Sequence, residues 1–232
     1  MQYIQIKDAI VEQIESGLFP PKQKLPSERL LADSFQTTRI TLREALSLLE
    51  LEGRIYREDR RGWFISPQPF RYEFDSSFDF ESHALAQNLN PKMELVSAKQ
   101  ELANKQITQT LQLAPFSQVF RLEKILFLDE RPVAHVIEYV RSNIAPKLLK
   151  QDLAQPLSQV LSEHYLQNHQ TSRYQVNTAA LLGDRAQSLR ATVGSLSLLI
   201  ERVNFDQNDE PMTCFREYWR PDAIQVICSA SS

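Results

Sequence analysis

Cysteine is scarce in this sequence, with only Cys214 and Cys228 among 232 residues. Their spacing is not that of a metal site, and we predict that both are reduced thiols in strands. No apolar run approaches the roughly 20 residues of a membrane span, and the N-terminus lacks the pattern of a signal peptide. We therefore expect a cytoplasmic protein with no membrane partner, no metal and no other cofactor.

A catalytic constellation is also missing from the sequence. No nucleotide-binding loop is present, and the four histidines are scattered along the chain: His83, His135, His164 and His169. The sequence brings no nucleophile and base together and therefore predicts no catalytic site. We expect that the protein is not an enzyme.

The segment from residue 25 to residue 46 predicts two short helices joined by a tight turn. Ser27 is a good N-cap for the first helix, and Thr37 or Thr38 can cap the second. Apolar residues at helical spacing form a stripe that must face a core, namely Leu42, Ala45, Leu46 and Leu49. The segment therefore has the pattern of a helix-turn-helix.

The remaining face of the second helix carries Thr38, Arg39, Thr41 and Arg43. In a helix-turn-helix this face enters the DNA major groove. Arginine can bind guanine O6 and N7, and threonine suits a phosphate or a thymine methyl group. The same residues could instead form the solvated face of an ordinary helical hairpin.

Residues 53–65 predict a small hairpin directly after the second helix. Arg60, Arg61 and Gly62 lie near its tip. A basic hairpin in this place is a wing that can touch the DNA backbone or the adjacent minor groove. The wing favours DNA binding over a solvated hairpin.

Net charge gives no support for DNA binding by itself. The chain has a formal net charge of -3, and residues 1–66 contain 10 Lys/Arg and 10 Asp/Glu. The arginines of the second helix and the wing are expected on the DNA side, with the acidic residues away from it. Such a balance predicts weak non-specific binding and reliance on specific contacts and on a second protomer.

Residues 1–66 resemble the winged helix-turn-helix of the GntR family of bacterial transcription regulators. The matching residues are Leu25-Pro-Ser-Glu-Arg29, Leu31-Ala32, Phe35, Thr38-Arg39, Thr41, Arg43, Ala45-Leu46, Leu49-Glu50, Gly53, Arg61-Gly62 and Phe64. The resemblance implies operator contacts by Arg29 and by the exposed threonines and arginines of the second helix, with Gly62 in the wing. Lys22 and Gln36 depart from it where glycine is common, and Ile40 where a small polar residue is frequent.

Three regions follow from length and composition. We expect a DNA-binding domain over residues 1–66 and a linker over 67–76, where Pro67 and Pro69 break regular structure. Residues 77–232 read as a mixed α and β domain, so the fold class is α+β. This domain is expected to begin with a helix over residues 77–88, and a strand over residues 223–227 is expected to finish its sheet.

The second domain contains an internal repeat. Residues 132–141 align without gaps to residues 211–220, with proline, glutamate, tyrosine and arginine recurring in register. Two similar hairpins imply a duplicated, mostly antiparallel sheet. In that sheet Glu138 and Glu217 would project from equivalent strands into a ligand cleft. The alternative is that the repeated residues are hairpin features on a solvated face.

Residues 77–228 resemble the UTRA effector domain of HutC-type GntR regulators, which has a chorismate-lyase-like fold. The matching residues are Leu122-Glu-Lys124, Arg131-Pro132, Glu138-Tyr139, Glu201-Arg202, Glu217-Tyr218-Trp219-Arg220 and Asp222. The resemblance implies a small-molecule effector, with an anion held at a helix start and by strand arginines. Here that points to Ser76, Ser77 and Lys124, with Arg121, Arg141 or Arg216 as a substitute arginine. Glu138 and Glu217 would bind an amine or hydroxyl, and Tyr218 is a candidate wall.

A narrower resemblance concerns the effector. Residues 37–44, 58–64 and 217–220 are similar to regulators of 2-aminoethylphosphonate uptake and degradation. An anionic or zwitterionic metabolite of this kind would suit Lys124 at one end and Glu138 or Glu217 at the other.

Together these observations predict a ligand-responsive transcription regulator. We expect a homodimer on double-stranded operator DNA that represses a catabolic or uptake operon until an effector releases it. A sugar phosphate or an amino-acid derivative is the alternative effector. Two other classes stay open: a constitutive DNA-binding dimer, and an enzyme with a lyase-like fold.

Overall fold

The computed structural model of the protein describes residues 2–74, 78–165 and 169–228. The N-terminal part consists of three helices and a hairpin, namely α1 (Gln2–Glu15), α2 (Glu28–Ser34), α3 (Arg39–Leu51), β1 (Ile55–Glu58) and β2 (Gly62–Ile65). Strands β1 and β2 are antiparallel. This is the winged helix-turn-helix that the sequence predicts.

Capping side chains set the starts of α2 and α3. Ser27 accepts a hydrogen bond from the Leu30 amide, and Thr38 accepts one from the Thr41 amide. The predicted stripe of α3 is fully buried. It packs with Ile10 of α1 and Trp63 of the wing, so the core fixes α3 against the other elements of the domain.

Two turns of this domain have left-handed backbone at positions where the GntR pattern commonly has glycine. Lys22 has a φ of 69° and Gln36 a φ of 47°. These are the positions where the sequence departs from the glycines of the GntR pattern. A side chain in this region is strained by about 1 kcal/mol, so the turn geometry is kept although its usual residue is absent.

The rest of the described chain contains strand β3, helices α4–α7, strands β4–β10 and two short 3₁₀ turns. In chain order they are β3 (Phe70–Glu73), α4 (Phe80–Ala86), β4 (Pro91–Leu102), α5 (Lys105–Thr110), β5 (Gln118–Leu128), β6 (Arg131–Arg141), a 3₁₀ turn (Leu148–Lys150), α6 (Leu157–Tyr165), β7 (Thr171–Ala180), α7 (Asp184–Ser188), β8 (Leu196–Phe205), β9 (Pro211–Trp219), a 3₁₀ turn (Pro221–Ala223) and β10 (Ile224–Ile227). Within the described ranges, no helix has the length and apolar character needed to cross a membrane.

The main sheet is antiparallel and has the strand order β4-β5-β6-β9-β8-β7. The repeated segments are the central strands β6 and β9, which lie side by side. Each belongs to a hairpin, β5-β6 or β8-β9, as the internal repeat predicts. The two halves of the sheet are therefore related by approximate two-fold symmetry about the junction of β6 and β9.

Strand β10 differs from the sequence prediction. It does not finish the main sheet but pairs in parallel with β3, inside the expected linker. Phe70 and Tyr72 of β3 are fully buried, and Phe70 stacks on Trp219 with ring centroids 5.7 Å apart. Burial of these aromatic rings draws the segment into the second domain.

Helix α4 also begins later than expected. Its N-cap is Asp79, which accepts a hydrogen bond from the Ser82 amide.

The helices and the β3-β10 pair cover both faces of the main sheet. One face is covered by α4, α6 and the β3-β10 pair, and the opposite face is covered by α5 and α7.

Candidate functional site

The first turn of α3 presents an exposed surface. Arg39 is exposed, and the side chain of Ile40 beside it is 74% exposed. Thr38 and Thr41 lie next to them, with their hydroxyl oxygens 3.1 Å apart. The structure therefore brings these predicted DNA contacts together on the exposed side of the N-terminal end of α3.

Arg43 is held against the neighbouring elements. Its Nε donates to Glu28 Oε2 at 2.8 Å, and Trp63 Nε1 of the wing donates to Glu28 Oε1 at 3.2 Å. Burial favours the neutral form of Glu28, but the hydrogen bonds from Arg43 and Trp63 lower its pKa below the ordinary value. Glu28 thus links α2, α3 and the wing, while Arg29 beside it is exposed.

The wing presents its basic tip on a tight turn. Arg60 has a side chain that is 92% exposed, and Gly62 has a φ of +105°. A side chain at this φ is strained, so the turn requires glycine. Arg61 pairs with Glu58, and its guanidinium lies 5.6 Å from the ring centroid of Phe64.

The second candidate site is a cavity of about 330 Å³ on the face of the main sheet under α4 and α6. Its charged lining consists of Asp79, Glu138, Arg202 and Glu217, and its uncharged polar lining includes Ser158, Asn204 and Thr213. The walls are apolar: Phe78, Phe80, Met93, Leu126, Val136, Leu157, Leu161, Met212 and Phe215. Such a mixture is typical of a small-molecule site.

Glu217 is surrounded by donors. Tyr72 Oη donates to its Oε1 at 3.3 Å, and Trp219 Nε1 donates to its Oε2 at 2.9 Å. Burial raises the pKa of Glu217 above the ordinary value, although Arg202 at 3.8 Å acts in the opposite direction. The carboxyl group is therefore held in a fixed position at the cavity wall.

Lys124 lies behind Glu138 and is fully buried. Its Nζ is 3.1 Å from Glu138 Oε2 and donates to the carbonyl oxygen of Gln155 at 3.1 Å. Lys124 is absent from the cavity lining. Its charge acts on the cavity through Glu138, which does line it.

Arg202, like Asp79, is a charged lining residue that was not predicted from the sequence as a site residue. Its guanidinium lies 4.2 Å from the ring centroid of Phe215, and its Nη1 donates to the carbonyl oxygen of Phe78. Its Nε is buried without a hydrogen-bond partner among the described residues. Because Arg202 lines the cavity, it is the cation that an acceptor group of a ligand would meet there.

The repeat contains a signal for Arg202. Lys124 is paired across the sheet with Val136, and Arg202 with Phe215. Val136 and Phe215 occupy the same position of the repeat, so Lys124 and Arg202 are equivalent residues. Each half of the sheet thus brings one cation and one carboxylate to the cavity face.

Two predicted effector residues lie on the opposite face of the sheet. Arg121 pairs across the sheet with Tyr139 and binds Glu123, and Tyr218 pairs with His135. Side chains alternate between faces along a strand, so neither residue reaches the cavity. Tyr218 is instead buried beneath Arg185, whose guanidinium is 4.3 Å from its ring centroid. Ser76 and Ser77 lie outside the described residues.

Helix α6 directs its N-terminus at the cavity. Pro156, Leu157 and Ser158 of this end belong to the lining. The first amides of a helix have no intrahelical acceptor and attract anions. The buried Oγ1 of Thr213 also lacks a hydrogen-bond partner within the described part of the chain. The N-terminus of α6 can therefore offer its amides to a ligand in the cavity.

A recognition helix with a wing, joined to a domain with a polar cavity, defines a DNA-binding transcription regulator. Comparison with known families agrees with this class. The model of the UTRA domain matches residues 86–225, and that of the gntR family of bacterial regulatory proteins matches residues 2–65. The chain belongs to the GntR family and carries a UTRA domain.

The chain is similar to transcription regulators over nearly the whole length of both proteins. The chain is 28% identical over 225 residues to the HTH-type transcriptional regulator YihL of Escherichia coli K12, which covers 95% of this chain and 94% of YihL. It is 23% identical to the HTH-type transcriptional repressor NagR of Bacillus subtilis, with 97% and 93% covered. The crystal structure of PhnF from Mycobacterium smegmatis superposes with a TM-score of 0.68 at 21% identity, covering 98% of this chain and 99% of PhnF. The protein is thus a transcription regulator and not an enzyme.

Proposed function

We propose that the protein is a cytoplasmic repressor of a catabolic or uptake operon and that a small metabolite in the cavity releases it from its operator. The observation that carries this proposal is the cavity itself, which combines two carboxylates, an arginine and a helix N-terminus in its lining. A constitutive DNA-binding protein has no use for such a cavity. NagR, which is similar over its length, is a repressor by name.

The proposed effector is zwitterionic. Glu138 and Glu217 lie on the same face of adjacent strands. Glu138 pairs across the strands with Phe215, two residues from Glu217, and Glu217 pairs with Val136, two residues from Glu138. Side chains two residues apart in a strand point to the same face. They can accept hydrogen bonds from an ammonium or hydroxyl group. Arg202 and the N-terminus of α6 offer donors to an anionic group. 2-Aminoethylphosphonate carries both groups and is the candidate that the sequence resemblance suggests.

DNA binding is proposed to use the surface formed by α3 and the wing. Arg29, Arg39 and Arg43 would contact the major groove together with Thr38 and Thr41, and Arg60, Arg61 and Gly62 would follow the backbone or the minor groove. Two protomers are needed for a palindromic operator, so we propose a homodimer in which effector binding changes the placement of the two winged domains.

A thermal-shift screen of the full-length protein tests the effector. The panel contains 2-aminoethylphosphonate, phosphonoacetate, sugar phosphates, urocanate and inorganic phosphate. A compound at one hundred times its Kd stabilises a protein by about 2.7 kcal/mol, so a true effector raises the Tm by several degrees. A rise with 2-aminoethylphosphonate supports the zwitterion, and a rise with a sugar phosphate alone replaces it by that class.

Variants locate the binding site. We expect Arg202→Gln and Glu217→Gln to abolish the calorimetric binding signal while the folded protein retains DNA binding. Arg121→Gln is the matched control, because Arg121 lies on the opposite face of the sheet and its loss should leave effector binding unchanged. Equal loss in the control would contradict the cavity as the site. A flat panel with every compound would favour a second domain that only dimerises.

A further inference from the structure

The base of the wing is bound to the effector domain by charged residues. The ring of Tyr56 in β1 lies against two guanidinium groups, with Arg131 3.4 Å and Arg220 5.4 Å from its centroid. Asp222 pairs with both arginines. We call Tyr56, Arg131, Arg220 and Asp222 the wing clamp. All four side chains are buried.

Arg220 also fixes the backbone on both sides of the domain boundary. Its Nη2 donates to the carbonyl oxygen of Arg57 in the wing at 2.9 Å, and its Nη1 donates to that of Leu189 at 2.8 Å. Arg57 belongs to the DNA-binding domain and Leu189 to the effector domain. One guanidinium therefore joins the two domains through two hydrogen bonds.

The internal repeat explains why this end of the sheet binds another domain. Arg141 and Arg220 are equivalent residues, as are Arg131 and Glu210. At one end of the β6-β9 junction, Arg141 pairs with Glu210 at 3.3 Å, and the charges balance within the sheet. At the other end two arginines meet, and residues from outside the repeat offset their charge, among them Asp222, Glu58 and the π face of Tyr56.

The wing clamp is directly connected to the cavity. Arg220 follows Trp219, whose indole donates to Glu217 in the cavity wall. Arg131 is the first residue of β6, the strand that carries Glu138. On the other side, Tyr56 stacks on Phe64 with ring centroids 5.3 Å apart, and Phe64 supports Arg61 near the tip of the wing. Consecutive contacts thus run from the cavity to a proposed DNA contact.

Contacts around the clamp involve the same two domains. Lys22, in its left-handed turn, pairs with Asp129 at 2.8 Å in the turn between β5 and β6. The amide of Asp59 donates to the carbonyl oxygen of Arg190 at 2.8 Å. These contacts lie at the surface, whereas the wing clamp is buried, so the clamp has the larger effect on domain placement.

We propose that Tyr56, Arg131 and Arg220 are positioning residues that hold the wing at one place on the effector domain and convey effector binding at Glu217 to the DNA-contacting hairpin. The second half of this statement rests on the proposed effector function. The first half concerns domain placement alone and can be tested without an effector.

Distance measurement between two spin labels tests domain placement. The labels are attached to Arg60→Cys in the wing and Phe116→Cys in the effector domain, both at strongly exposed positions. Cys228 is exposed and is replaced by serine, whereas burial raises the pKa of the Cys214 thiol to about 12 and keeps it unreactive. Labelled protein is diluted with unlabelled protein so that each measured distance lies within one chain.

We expect a single narrow distance distribution in the parent protein and loss of that peak in Tyr56→Leu, which removes the π face. Tyr56→Phe is the matched control and should keep the narrow peak, because the ring remains. Arg131→Gln provides a second disruption that leaves the wing unaltered. A purely structural role would lower the Tm and leave the distance unchanged, so an unaltered peak in folded Tyr56→Leu and Arg131→Gln overturns the proposal.

Addition of 2-aminoethylphosphonate separates this inference from the proposed function. If the compound binds by calorimetry, the distance should shift in the parent protein and in Tyr56→Phe, and the shift should be lost in Tyr56→Leu. Binding without any shift in the parent protein overturns the coupling. Absence of binding rejects this compound as the effector, while the comparison without ligand still decides whether the wing clamp positions the wing.

Discussion

Lys124 and Arg202 are equivalent residues of the two hairpins in the main sheet, and each is paired with the glutamate of its own half. The Lys124–Glu138 pair is 3.1 Å long and the Arg202–Glu217 pair 3.8 Å. The first pair is closed, since Lys124 is fully buried and also binds a carbonyl oxygen. In the second pair the cation itself lines the cavity. Duplication thus provides one pair with a structural contact and one that is open to a ligand.

Removal of Lys124 should strongly destabilise the protein. Lys124→Met leaves Glu138 as an unpaired buried carboxylate, which typically costs about 3–5 kcal/mol. The double variant with Glu138→Leu should recover most of this loss, because both charges are then absent. Urea unfolding of the parent, the single variant and the double variant measures the difference. Equal stability of the single and double variants would contradict the closed pair.

Arg39 should contribute directly to operator binding. Arg39→Ala is expected to weaken binding by about 1–3 kcal/mol if the side chain binds guanine, with relaxed specificity at one position. Fluorescence anisotropy with a selected operator duplex measures the affinity. Arg71→Ala is the control, because Arg71 is an exposed arginine of β3 outside the winged domain. A similar loss in both variants would indicate a non-specific charge effect.

Ile40 should read a thymine methyl group. An isoleucine that is 74% exposed beside Arg39 is placed to make an apolar contact in the major groove. Replacement of single thymines by deoxyuridine, which lacks the methyl group, should weaken binding of the parent protein at one operator position. Ile40→Ala should lose sensitivity at that position alone. Sensitivity that persists in the variant would assign the methyl contact to another residue.

The free energy of unfolding should fall as the pH decreases through the range in which His135 becomes protonated. Burial lowers the pKa of His135 below its ordinary value of 6.5, and the charge of Arg185 acts in the same direction, against Glu123. The unfolded chain therefore takes up the proton first, and the stabilising contribution present above pH 6.5 is lost as the pH falls through the folded-state value.

His135→Asn removes this titration and can keep a hydrogen bond to Ser188, whose Oγ lies 3.0 Å from His135 Nδ1. The Tm of the parent should fall more than that of the variant between pH 7.5 and pH 5.5. Parallel curves would show that His135 has the same pKa in the folded and unfolded chain.

The winged domain could be predicted from sequence because its signals are local. Ser27 and Thr38 cap adjacent helices, and the buried stripe of α3 repeats at the period of one helix. The duplicated sheet was predictable as well, since the repeat holds Glu138 and Glu217 in register. Both features can be recognised within short segments, the first from caps and helical spacing and the second from two ten-residue segments that match each other.

The composition of the cavity depends on pairing between distant strands. Arg121 and Lys124 are close in sequence but face opposite sides of β5, and only the register with β6 decides which side faces the cavity. The pairing of β8 with β9 likewise places Arg202 on the face of the sheet that lines the cavity. Strand β10 could not be placed from its sequence, because its partner β3 lies far away at the domain boundary.

The parallel pair of β3 and β10 sets a limit on how far the two domains can separate. With β3 fixed in the effector domain, only residues 66–69 connect it to the end of β2. A fully extended chain spans at most about 3.3–3.6 Å per residue, so the end of β2 and the start of β3 can lie at most about 18 Å apart. That is about five base pairs along DNA. In a homodimer of this build, the distance between the two half-sites would therefore be set mainly by the placement of the two effector domains, with each tether adding only a limited reach.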